Sequence, residues 1–84
     1  MDKAKAMELA NKMLNSDKKD IRFFDFINEQ FQDDSVAISF IEQIDMMLEQ
    51  NYSTEMENIK YIIVSLIKDN DKKDRIYKST RRLK

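Results

Sequence analysis

The 84-residue sequence predicts an all-α protein, a small up-and-down bundle of four helices. Three observations predict it. The chain contains neither Gly nor Pro, so turns that need positive φ fall to Asn and Asp, and helices meet no obligatory breaker. Apolar residues recur at helical rather than alternating spacing, most plainly from Met56 to Ile67, the most apolar run in the chain. The stretches between periodic segments are short, which favours antiparallel neighbours.

The first helix is expected from Asp2 or Lys3 to about Asn15, with Ala6, Met7, Leu9, Ala10, Met13 and Leu14 on one face. Glu8 and Lys12 lie opposite as an i, i+4 pair worth about 0.2–0.5 kcal/mol. Ser16 or Asp17 is placed to cap a second helix, about Lys18 to Phe31, because either side chain can accept from N–H groups two or three residues on. Phe23, Phe24, Ile27 and Phe31 form its inner arc, Ile21 lies at the edge and Phe26 to one side. Four of the five Phe residues fall here, and since a buried aromatic removes about 150–250 Å² from water they supply much of the expected core. Base stacking on nucleic acid is the functional alternative for Phe26, but no Lys or Arg follows it before Lys60 and acids surround it, which is unlike the basic groove that stacking accompanies.

Asp33 or Asp34 is a good N-cap for a third helix, about Ser35 to Gln50, with Val36, Ala37, Phe40, Ile41, Ile44, Met47 and Leu48 inward and Ile38 and Met46 pointing elsewhere. Asn51 to Ser53 turns the chain into the fourth. There Met56, Ile59, Ile62, Ile63, Leu66 and Ile67 share one face, with Glu57, Asn58, Ser65 and Lys68 opposite. Thr54 followed by Glu57 fits a capping box. Tyr61 and Val64 fall off the main apolar face and point to a second contact surface. Nothing after Ile67 obliges the helix to stop, and Tyr77 returns to the face of Ile59. The fourth helix therefore either runs on to about Thr80, at about 40 Å long with its basic end projecting, or ends near Asn70 with a loose basic tail. Both versions divide the chain into a bundle domain, residues 1–70, and a basic C-terminal extension, residues 71–84.

Composition excludes much chemistry. Without Cys or His, the usual zinc, copper and haem-iron ligands are missing, as are nucleophile–base pairs built on either residue. No Gly-rich loop can cradle a phosphate. The run DNDKKD at 69–74 places acids like the start of a calcium loop, but Lys73 stands at its fifth position, the sixth lacks Gly, and Thr80 replaces the terminal Glu. The sequence thus predicts no enzyme, no catalytic residues, no metal site and no cofactor. The N-terminus lacks a signal-peptide apolar segment and no apolar stretch reaches 18 residues, so a cytoplasmic protein with no membrane partner is expected.

Charge carries the functional signal. Residues 1–70 hold eight basic and fourteen acidic side chains, and residues 71–84 hold seven basic and two acidic. Between Phe23 and Ile59 there are nine carboxylates and no Lys or Arg. Asp25, Glu29 and Asp33 line up along the second helix, and Glu42, Asp45 and Glu49 along the third, as two acidic ridges. They serve either as a solvated face or as a surface for a basic protein partner, such as a nucleic-acid-binding protein. Abundant Lys, Asp, Asn and Ile resembles the composition of AT-rich bacterial and phage genomes. The function expected is accordingly a small protein–protein interaction module, a regulator or inhibitor of bacterial, phage or mobile-element type, bound to its partner through these six acids. Two alternatives use Lys72, Lys73, Arg75, Lys78, Arg81 and Arg82: direct nucleic-acid binding by the basic end, or self-association of tail on acid into a homodimer.

Overall fold

The computed structural model describes residues 2–17 and 19–80. Of these, the side chains of Ser79 and Thr80 lie outside the description, as do the sequence-based expectations for Lys18, Arg81 and Arg82. The described residues form five α-helices and no strand: α1 (Lys3–Leu14), α2 (Ile21–Gln30), α3 (Asp34–Gln50), α4 (Thr54–Leu66) and α5 (Asn70–Thr80).

Short polar side chains set the helix starts. Asp2, Asp20, Asp33 and Ser53 each stand in extended backbone and accept from a first-turn N–H, which satisfies a donor the helix itself leaves orphaned. Two of these differ from expectation. The cap of α2 is Asp20 rather than Ser16 or Asp17, because Asp17 spends its carboxylate on the Lys19 N–H inside the connecting turn. The cap of α4 is Ser53, whose hydroxyl accepts from the Met56 N–H at 3.3 Å. Thr54 is thereby the first helical residue, and in place of a capping box the Tyr52 hydroxyl donates to Glu57 Oε2.

The core joins Ala6, Leu9, Ala10 and Met13 of α1, Phe23 and Ile27 of α2 with the adjoining Phe31, Ala37, Phe40, Ile41, Ile44 and Leu48 of α3, and Ile59, Ile63 and Val64 of α4 with Ile67. Phe31 and Phe40 meet with ring centroids 5.0 Å apart, tying the end of α2 to α3. Two residues placed inward by periodicity, Met7 and Phe24, lie outside, and Ile21, placed at the edge, is 73% exposed. On α4 the buried arc is rotated toward Lys60 and Val64, so Val64 belongs to the core, while Ile62 and Leu66 are only partly covered.

The fourth helix does not run on to Thr80, and residues 70–80 are not a loose tail. In a continuous helix the N–H groups of Lys68 and Asp69 would bond to carbonyls four residues back. Here the Asp34 carboxylate takes both, Oδ1 from Lys68 at 3.0 Å and Oδ2 from Asp69 at 3.1 Å. A charged acceptor outcompetes a neutral carbonyl, so the helix ends at Leu66 with Ile67 extended and buried. Asp69 then caps α5 by accepting from the Asp71 and Lys72 N–H groups. The pairings 34 with 68 and 45 with 60 run α3 and α4 antiparallel. The Lys73 ammonium on the Ser65 carbonyl, and Tyr61 stacked on Tyr77 at 6.2 Å, do the same for α4 and α5. Residues 70–80 therefore fold back along α4.

Candidate protein-binding surface

Asp25 and Glu29 sit one turn apart on the outer side of α2 because Phe23, Ile27 and Phe31 fix the opposite side in the core. The two acids line a groove of about 370 Å³ together with Asn28, Phe31, Gln32, Leu66 and Lys68. Its apolar lining residues are the buried Phe31 and the partly covered Leu66. Its far wall is the corner between α4 and α5, where the Lys68 ammonium is bonded to the Gln32 carbonyl at 3.1 Å. Among the described residues no cation lies within ion-pairing distance of Asp25 or Glu29. The one Arg of α2, Arg22, is held by Asp20 through Nε and Nη2. That contact keeps the Asp20 carboxyl below the ordinary aspartate range.

The other four acids are not brought into this groove. Asp33 is exposed but engaged as the α3 cap, and the Ser35 N–H and hydroxyl hold its carboxyl below the ordinary range. Glu42 and Glu49 are exposed along α3. Asp45 turns toward α4, where its Oδ1 meets the Lys60 ammonium at 2.5 Å. Lys60 is only 1% exposed and reaches this carboxylate from among core isoleucines. Asp45 is thus a structural partner, and the acidic ridge of α3 is interrupted at its centre.

Sequence reasoning missed Lys60 and Asp34. Lys60 occupies the same helical arc as Ile59, Ile63 and Val64, which was the available signal. Asp34 reads as one of two equivalent caps until the Lys68–Asp69 corner is placed against it. Its carboxyl is held below the ordinary range chiefly by the Lys68 N–H, with the Asp69 N–H and the charges of Lys72 and Lys68 adding to this.

The basic residues are partly committed as well. Lys73 is turned to the end of α4, where a cation offsets the helix dipole, and the charge of Lys72 acts on Asp33 and Asp34. Arg75 and Lys78 are exposed. Phe26 is half-buried with the Lys12 ammonium 4.5 Å from its ring centroid. The cation at this ring thus comes from α1, while Arg22, one turn before Phe26 on α2, is held by Asp20.

Among the described residues no group of acids is arranged to hold a metal, and no helix is long and apolar enough to cross a membrane. No family model, no curated protein and no solved structure matches the chain.

Proposed function

We propose that the protein is a non-catalytic, cytoplasmic binding module that captures a basic protein partner, acting as a regulator or inhibitor of the kind carried by bacteria, phages and mobile elements. The observation that carries this reading is the groove beside α2, where Asp25 and Glu29 face solvent with no cation among the described residues in ion-pairing distance and Leu66 lines the same groove. A Lys or Arg side chain can lay its methylene stem on the partly covered Leu66 and bring its charge to the two carboxylates, which is how such side chains are commonly accommodated. Exposed Glu42 and Glu49 extend the negative field and serve encounter and orientation more than affinity.

The test is capture of partners from cells that make the protein, comparing the natural chain with Asp25→Lys/Glu29→Lys/Glu42→Lys. The reading expects a basic protein to be retained at low salt, released at high salt, and lost with the charge-reversed chain. Retention of the same protein by both chains would sink it.

A second reading, phosphate binding by α5, is favoured by the exposure of Arg75 and Lys78. A gel shift with duplex DNA at two salt concentrations separates the two, since a salt-sensitive shift belongs to this reading alone. Tail-on-acid homodimers remain the third reading, and light scattering that stays monomeric at every salt concentration removes it.

A further inference from the structure

The groove continues along α2 as an exposed ridge. Ile21 is 73% exposed and Phe24 49%, and with Asn28 they follow at the i, i+3, i+7 spacing that draws a line along a helix. Asp25 and Glu29 run along one flank of that line. Phe24 is not loose: its ring packs edge-on against the buried Phe23 ring, with centroids 5.5 Å apart and planes at 79°. A ring already held in place loses little freedom when a partner covers it. Single exposed apolar residues are ordinary, but here an aromatic and a β-branched residue adjoin an acidic groove. An apolar anchor beside a charged rim is the anatomy of a protein interface.

We infer that the element docking on this ridge is a basic amphipathic helix of the partner, with its apolar stripe on Ile21 and Phe24 and its Lys or Arg side chains directed to Asp25 and Glu29. This rests on the reading of the groove as the site for a basic partner. Charge complementarity supplies the basic half, because Asp20 neutralises Arg22 and the strip is left negative. The apolar half follows from Ile21 and Phe24, which a purely charged segment would leave in water. The helical form follows from the backbone. An extended segment gains its affinity from main-chain hydrogen bonds to a sheet edge, and the described residues contain no strand to offer one. A helix brings its backbone already satisfied, and its i, i+3 and i, i+4 rows pack against a ridge of this spacing.

The test is calorimetric titration of the full chain with a synthetic Leu/Lys/Arg peptide patterned as an amphipathic helix, and with a scrambled peptide of identical composition. The patterned peptide should bind at least about tenfold more tightly. Ile21→Ser/Phe24→Ser should abolish that advantage, Phe24→Leu should keep most of it, and Met46→Ser, a comparably exposed apolar site on α3, should leave it unchanged. Both substituted ridge residues are exposed, so unaltered circular dichroism melts are expected to accompany the loss. Equal affinity for the two peptides, with both weakened by Asp25→Lys/Glu29→Lys, overturns the helical docking while leaving the basic-partner reading standing. Binding of neither peptide overturns both.

Discussion

Lys60 is the side chain whose placement departs furthest from its chemistry, a lysine 1% exposed at the middle of the buried arc of α4. Removing an ammonium from water costs several kcal/mol, and the opposing charge of Asp45 recovers much of it at 2.5 Å. The two partners are therefore not equivalent. Asp45→Asn leaves the buried cation without that carboxylate and should lower unfolding free energy by about 2 kcal/mol, below the fully buried range because Asp45 itself is 36% exposed. Lys60→Met fills similar volume without a charge and should change stability by less than about 1 kcal/mol. Urea denaturation of the two variants checks the asymmetry, and equal losses would show that the pair acts as an ordinary contact. Phe40, fully buried and packed on Phe31, sets the scale for a core residue: Phe40→Ala should cost about 3–5 kcal/mol by the same measurement.

At the level of elements, the corner at Lys68 and Asp69 decides where the chain goes. Asp34 holds both N–H groups only as a carboxylate, and its pKa is depressed in the folded state. A depressed pKa contributes stability that is present above the unfolded value of about 3.9 and is lost as pH falls from there through the lower folded value. Thermal melts of the natural chain and Asp34→Asn should therefore differ at pH 7 and converge toward pH 2. A difference that persists at pH 2 would show that the charge is not what holds the corner. In the same variant the Tyr61–Tyr77 stack should loosen, visible as a reduced tyrosine signal in near-ultraviolet circular dichroism.

Four of the five helices and most of the core were legible in apolar periodicity, because Ala6, Leu9, Ile27, Ile44 and Ile63 each recur at spacings that only a helix aligns. The break after Leu66 was not legible. It depends on a contact between Asp34 and residues more than thirty positions away, and no Gly or Pro marks it. The alignment of Asp25 and Glu29 along α2 was legible in their spacing, but the exposure of Phe24 was not, because α2 offers more aromatic surface than one helix face can bury.

For the whole molecule, the division into an acidic body and a basic end is real in sequence and reduced in space. α5 returns along α4, so Lys73 reaches the Ser65 carbonyl and Lys72 acts on Asp33 and Asp34. What stays open is the strip from Ile21 to Glu29 with the corner at Leu66 and Lys68. Affinity for a basic partner should fall as salt rises from about 0.05 to 0.3 M, since the contributing charges are exposed and the screening length shortens from well above to below 10 Å over that range. The most direct test of the account is a nuclear magnetic resonance titration of the isotope-labelled chain with the patterned basic peptide. Amide shift changes concentrated on residues 21–29 and 66–68 are expected. Changes concentrated on α5, or on Glu42 to Glu49 of α3, with α2 unmoved, would contradict it.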